Sequence, residues 1–335
     1  MIRIKSNHHD ENVVSLAWAI TEFCDKRCNY CTSAYFLKSL KAKGIELYFP
    51  EERLALDDHI ANMLPKVVTK GEITFYGGEP TLHPRGIEYF NKLCKEMPED
   101  VRIIFITHGD ITKEQLESFD TNNRKNYVIT FSYHYYQTKF EPWLENAKIL
   151  SNKFDNLLLS AIIPRQQTVW EDFRNKMRVM LDTGMHCEIK SEHDKNNEPD
   201  LRAIREFKDL IDEANKWRTH LYGLVLSEGD AEVFLPNVKS MSQIPLIPNK
   251  SICKTGQFAI VNNRLARACG EGNYVDVSIN TTPEELKKYI DNITLTCVKN
   301  VCKDSTNTTT NITVFGASLN DKKYKDFVMC EMKPI

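Results

Sequence analysis

Between residues 13 and 190, short β-rich runs alternate with amphipathic stretches of helical length, and no other feature of this 335-residue sequence limits the fold as tightly. The β-rich runs lie at 13–23, 72–76, 101–107, 127–132, 156–163 and 185–189. Amphipathic stretches occupy 51–64, 86–96, 142–153 and 169–182. Strands separated by helices of this length join through crossovers and pair in parallel. The pattern predicts an α/β fold, a partial (β/α)6 TIM-like barrel. Chemistry in such barrels gathers at the C-terminal ends of the strands, where the loops converge.

The character changes after Lys190. Residues 191–200 (SEHDKNNEPD) are polar and contain Pro199, which reads as a surface linker. A charged helix is predicted over 201–217, followed by irregular sequence with Pro236, Pro245 and Pro248. The expected division is residues 1–195 as the barrel and 196–335 as a smaller α+β domain. Residues 303–313 (KDSTNTTTNIT) read as a solvated loop.

Composition narrows the function. Lys and Arg number 44 against 46 Asp and Glu, a net charge of −2, so broad binding of duplex nucleic acid is not expected. With 41% hydrophobic and 27% charged residues, the chain reads as an ordinary globular protein. The N-terminal MIRIKSNHHDE lacks an apolar signal-peptide core, and no apolar stretch approaches the roughly 20 residues that span a bilayer. A cytoplasmic chain with no membrane partner is expected. Reduced thiols follow, so its ten cysteines point to metal or redox chemistry rather than disulfides.

Three of these cysteines form Cys24-Asp-Lys-Arg-Cys28-Asn-Tyr-Cys31, directly after the first β-rich run. Chance would produce that C-x3-C-x2-C spacing only about 0.009 times per chain. Three thiolates on one tight loop can hold three irons of a [4Fe–4S] cube and leave the fourth iron open. Structural zinc is the alternative, but it closes its tetrahedron with a fourth ligand; His8 and His9, the nearest upstream candidates, lie across the first strand, and the nearest histidine downstream is His59. One βα unit later comes Gly77-Gly78-Glu79-Pro80 at a strand end. Paired glycines there allow close backbone approach to a ligand, and the carboxylate can accept hydrogen bonds from an amine.

At these residues the chain resembles the radical S-adenosylmethionine (SAM) superfamily over about residues 13–190. The cysteine loop, with aromatic Tyr30 before its last cysteine, and the GGEP segment match that family's two leading motifs. The resemblance implies a [4Fe–4S] cluster on Cys24, Cys28 and Cys31, with SAM chelating the open iron. It places Tyr30 near the adenine and Gly77, Gly78 and Glu79 at the methionine amine. Thr107-His108-Gly109 stands where relatives carry Thr-Asn-Gly, so Thr107 is a further candidate and His108 a departure. Ser132 is similar to a family residue that contacts the SAM ribose.

Strand alternation adds a reading of its own. Ile129, Phe131 and Tyr133 share one face, opposite Thr130, Ser132 and His134. Met185, Cys187 and Ile189 likewise oppose His186, Glu188 and Lys190. Apolar faces should meet the covering helices, which turns the polar sets toward the lumen and suits a polar substrate. A one-residue slip of these strands, or an exposed sheet end at 186–190, is the alternative.

Four more cysteines follow: Cys253, Cys269, Cys297 and Cys302. Residues 258–261 and 264–268, joined by Asn262-Asn263, form a plausible hairpin, since Asn tolerates the left-handed turn conformation. Folding back would bring Cys253 and Cys269 to one end, with Cys297 and Cys302 completing four sulfur ligands. This resembles the Twitch form of the SPASM-type extension that follows some radical SAM barrels, and it implies a second, auxiliary [4Fe–4S] cluster. A four-cysteine zinc site remains the alternative, and Cys330 could substitute for one ligand. Cys94 reads as a core residue, and Cys187 points away from the lumen.

The resemblance implies an enzyme that reductively cleaves SAM and abstracts hydrogen from a polar small-molecule or nucleotide-like substrate, with oxidation or rearrangement as outcome. An electron donor such as flavodoxin or ferredoxin is the implied partner. Peptide maturation is the second reading, although few residues precede Cys24. A non-catalytic Fe–S or SAM-binding protein is the alternative of another class.

Overall fold

The structure is a computed structural model. It describes residues 1–6, 14–28, 31, 49–192, 200–214, 216, 223–236, 251–254, 257–261, 263–267, 274–291, 294–297, 311–315, 317–322 and 325. Tyr30, Cys269, Cys302 and Cys330 lie outside the described residues. The chain divides into two compact units. One comprises Trp18–Pro65 and Ile73–Trp217, the other Met1–Ala17, Lys66–Glu72 and Arg218–Ile335.

The elements run β1 (Ile2–Ser6), β2 (Val14–Thr21), α1 (Glu51–Val67), β3 (Gly71–Gly77), α2 (Gly86–Glu96), β4 (Val101–Thr107), α3 (Lys113–Ser118), β5 (Tyr127–Tyr133), α4 (Phe140–Ser151), β6 (Leu157–Ile163), α5 (Trp170–Leu181) and β7 (His186–Ser191). Strands β2 to β7 lie in chain order, and β4, β5, β6 and β7 pair in parallel. This is the wound α/β sheet that the alternation predicts, with strand ends within one or two residues of the expected ones.

Burial follows from the side chains. On α2, Ile87, Tyr89, Phe90, Leu93 and Cys94 are buried, an apolar stripe at helical spacing. Phe90 stacks edge-on against Phe75 of β3 and Phe105 of β4, with ring centroids 6.2 and 5.3 Å away. Phe131 and Tyr133 face Trp143 of α4 at 6.5 and 5.2 Å, and the Cys187 thiol turns toward the Met180 carbonyl of α5. The apolar sets of β5 and β7 therefore meet helices, as their alternation predicts. Cys94 lies in the core as expected.

Two elements depart from the sequence reading. The helix predicted over 201–217 is two helices, α6 (Leu201–Glu206) and α7 (Lys208–Ala214). The break comes at Phe207, whose fully buried ring packs against Trp170 and Phe173. Helix α3 has no long apolar stripe to betray it. It is set instead by a reciprocal capping box between Thr112 and Gln115.

In the other unit, the strands are β8 (Gly223–Glu228), β9 (Ala231–Pro236), β10 (Ser251–Lys254), β11 (Gln257–Val261), β12 (Arg264–Arg267), β13 (Tyr274–Asp276), β14 (Thr294–Cys297) and β15 (Asn311–Val314), with α8 at Pro283–Asp291. A six-stranded sheet has the order β14-β10-β15-β1-β8-β9. The N-terminal strand β1 is therefore paired on both sides, antiparallel to β15 and β8, a long-range placement that local sequence does not encode. The predicted hairpin forms as β11–β12, and Asn263 takes φ 62°, the left-handed turn conformation. Among the described residues no helix is long and apolar enough to cross a membrane.

Candidate functional site

The cysteine loop leaves the C-terminal end of β2, and the segments after β3, β4 and β5 all reach it. Gly78 N–H donates to the Thr21 carbonyl (2.7 Å) and Glu79 N–H to the Phe23 carbonyl (2.6 Å), which seats GGEP beside the loop. The paired glycines are required by this approach. Gly77 has φ 121°, and a Cβ there would lie 2.2 Å from the Thr21 oxygen. At Gly78 it would lie 1.9 Å from the Phe23 oxygen. Close approach was expected toward a ligand, but the surface met first is the chain's own backbone.

Glu79 is 2% exposed, and its carboxylate is largely engaged. Oε1 accepts from Thr81 N–H (3.1 Å) and Thr81 Oγ1–H (2.7 Å), and Oε2 accepts from His108 N–H (2.8 Å). Thr107 is buried, and its Oγ1 accepts from Gly109 N–H at 3.1 Å. Ser132 is half-buried on β5 and pairs in register with Ser160 of β6.

His108 shows what its departure from the Asn of relatives does here. Asp110 N–H donates to Nδ1 (3.1 Å), so Nε2 carries the proton in the neutral ring and donates to Asp25 Oδ1 at 2.7 Å. Glu79 Oε2 is also within 3.4 Å of Nε2. That hydrogen bond, with neighbouring positive charge, holds the Asp25 carboxyl down at about 2. Lys26, nearly buried in the same loop, donates to Asp110 Oδ2 (2.6 Å) and to the Gln137 carbonyl (3.2 Å). Arg27 N–H donates to Gln137 Oε1 at 2.8 Å. The cysteine loop is thus tied to the ends of both β4 and β5.

None of the three thiols is in a disulfide, and Cys28 is buried while Cys24 and Cys31 are half-buried. Burial, reinforced by the charges of Glu79 and Asp25, pushes the Cys24 thiol up to about 12. A thiol so placed becomes a thiolate readily only when a cation is bound, because a coordinating metal deprotonates it. Cys24, Asp25 and His108 also offer ligand atoms within 4.8 Å of one another. The sulfur-rich donor set on one loop fits an iron–sulfur cluster.

Strand alternation puts His134 on the lumen face and assigns it no role. Its Nδ1 lies 3.3 Å from Cys28 Sγ, and burial lowers its pKa to about 4. Beside it opens a cleft lined by Cys28, His134, Tyr135, Gln137, Ile162 and Glu192. Burial raises the Glu192 carboxyl above its ordinary value. Glu188, in the expected lumen set, accepts from Ser160 Oγ–H (3.3 Å) and pairs with Lys190 (2.5 Å).

On β10 and β14, register pairs Cys253 with Leu295 and Ser251 with Cys297. Cys253 and Cys297 therefore stand two register positions apart on adjacent paired strands.

Residues 18–168 match the family model of the radical SAM superfamily. None of the curated proteins matches the chain. Among solved structures, Streptococcus suis SuiB bound to S-adenosylmethionine is similar at 14% identity and a TM-score of 0.43, over 62% of this chain and 46% of that one. SuiB bound to its precursor peptide SuiA gives 13% and 0.45, over 63% and 48%. BtrN in complex with AdoMet and 2-DOIA gives 16% and 0.32, over 62% and 85%. The match thus spans about half the length of SuiB. At such scores the weight falls on the family match and on the residues themselves. The segment that matches the radical SAM family model contains the three-cysteine loop, Gly77–Glu79, Thr107 and Ser132.

Proposed function

We propose that this chain is a radical SAM enzyme whose N-terminal region, residues 1–195, binds a [4Fe–4S] cluster through Cys24, Cys28 and Cys31. The observation that carries the reading is the convergence of the cysteine loop, Glu79 and His108 at the C-terminal ends of β2, β3 and β4. When bound, the reduced cluster supplies one electron that cleaves SAM to methionine and a 5′-deoxyadenosyl radical, which abstracts hydrogen from the substrate.

The chain's own residues then have defined work. Glu79, held by Thr81 and His108, has the acceptor oxygens for the methionine amine, and Gly77 and Gly78 shape the backbone beside it. Thr107, Ser132 and Tyr30 complete the SAM site. The cleft beside Cys28, with the Tyr135 ring, Gln137 and Glu192, suits a polar small-molecule or nucleotide-like substrate. Oxidation or rearrangement is the outcome, with flavodoxin or ferredoxin as electron donor. Residues 196–335 form a Twitch-like extension in which Cys253, Cys269, Cys297 and Cys302 hold an auxiliary [4Fe–4S] cluster. The register of β10 and β14, which puts Cys253 and Cys297 two positions apart on paired strands, supports that assignment.

Anaerobic reconstitution followed by SAM and dithionite tests the reading, with 5′-deoxyadenosine as product. Cys28→Ala should abolish cleavage while keeping the C-terminal cluster. Cluster-loaded protein that yields no 5′-deoxyadenosine would point to binding without catalysis. One zinc per chain with the C-terminal iron absent would refute the auxiliary cluster.

A further inference from the structure

The imidazole of His134 stands at the end of β5, 3.3 Å from Cys28 Sγ through Nδ1. Two backbone hydrogen bonds fix the turn that presents it, since Gln137 N–H and Thr138 N–H both donate to the His134 carbonyl at 2.9 Å. Cys28 is 8% exposed, so the contact lies out of bulk water, where a hydrogen bond is electrostatically stronger. A ligating thiolate is an acceptor and has no proton to give. The ring nitrogen facing it can only be a donor, and this selects the tautomer with hydrogen on Nδ1.

We infer that His134 Nδ1–H donates to the Cys28 sulfur and raises the reduction potential of the cluster that Cys28 helps to hold. The inference rests on the radical SAM reading and adds a positioning and tuning residue to it. Reduction transfers one electron from the external donor to the cluster and breaks no bond. The added negative charge spreads onto the sulfurs, so a hydrogen bond to sulfur stabilises the reduced state more than the oxidised one. Hydrogen bonds to cluster sulfurs are an established lever on such potentials. The contacts through Asp25, Lys26 and Arg27 tie the backbone and charges of the loop, the Lys26 backbone amide reaches the Cys24 thiol, and the His134 ring reaches the Cys28 sulfur from a side chain of β5's end.

The test is an EPR-monitored redox titration of the full chain, following the reduced signal that changes shape when SAM is added. His134→Leu removes the donor and should make that cluster about tenfold harder to reduce, which is about 59 mV for a one-electron couple. His134→Asn, whose amide nitrogen falls close to the Nδ1 position, should recover most of the shift, and the auxiliary-cluster signal should not move in either variant. A potential unchanged in His134→Leu, or equally lowered in the leucine and asparagine variants, overturns the inference and leaves the radical SAM reading intact. Should His134→Leu fail to hold iron, His134→Gln replaces it, and equal potentials in the glutamine, asparagine and unmodified proteins overturn the inference. Unmodified protein with no SAM-responsive signal overturns the underlying reading as well.

Discussion

His108 Nε2 lies 2.7 Å from Asp25 Oδ1, a bond that joins the loop after β4 to the loop carrying the first three cysteines. Because the His108 backbone N–H also holds Glu79, one residue links the cluster loop to the carboxylate proposed for the methionine amine. His108→Ala breaks a charge-assisted hydrogen bond of about 1.5–3 kcal/mol. The expected result is SAM affinity weakened about tenfold or more with iron retained. Asp25→Ala should do the same to a smaller degree. Equilibrium binding of SAM to reconstituted protein measures both, and unchanged affinity in both would break the proposed link.

Gly78→Ala places a Cβ 1.9 Å from the Phe23 carbonyl oxygen, a backbone atom with no flexible end to give way. The junction between β3 and the cysteine loop must open, at a cost of about 1–3 kcal/mol or more. Thermal unfolding should show a lower Tm, and reconstitution should yield less iron per chain. A variant with native Tm and native iron content would show that the two backbones are not held this close.

Arg124 is a buried cation paired with carbonyls alone among its described hydrogen bonds. Its guanidinium donates to the carbonyls of Cys94, Met97, Pro98, Val101 and Asn126, closing the end of α2 onto the start of β4. Lysine keeps the charge but lacks the planar fork that reaches several acceptors. Arg124→Lys should cost about 2–4 kcal/mol, since several buried acceptors lose their donors. Chemical denaturation of the two proteins compares them directly.

Asp200 caps α6, accepting from Arg202 N–H at 3.0 Å and Ala203 N–H at 3.5 Å. The Arg202 side chain, with these backbone donors, holds its carboxyl below the usual carboxylate value. The folded pKa is lowered, so its contribution is complete above the unfolded value near pH 4. It is lost as pH falls through the lower folded value. Asp200→Ala should cost about 1 kcal/mol at neutral pH. The difference from the unmodified protein should shrink in acid, and a pH-independent difference would reject the charged cap.

Much of the barrel was legible because its signals are local. Helix α2 announces itself by apolar residues spaced along one face, and β4 by Val101, Ile103 and Phe105 alternating inward. Cys24, Cys28 and Cys31 are legible for the same reason, since a tight loop fixes their neighbourhood whatever surrounds it. The role of His108 was not legible. It depends on a partner 83 positions away, Asp25, and no periodicity records such a pair. Helix α3 has no periodic apolar signal, although Thr112 and Gln115 spell its capping box, because its burial rests on Leu116 alone.

The sequence by itself determined the order of strands and helices, the faces that Phe131, Tyr133 and Cys187 turn to their helices, and the three-cysteine loop after β2. These follow from side-chain periodicity and from short covalent spacings, which act within a few residues. Only the tertiary structure decided that strand β1 pairs with β8 and β15, that Gly77 and Gly78 press on the cysteine loop's own backbone, and that His134 faces Cys28. Each of those is a contact between distant segments. It exists because buried backbone and sulfur must find partners, and which partner is near is set by how the whole chain closes.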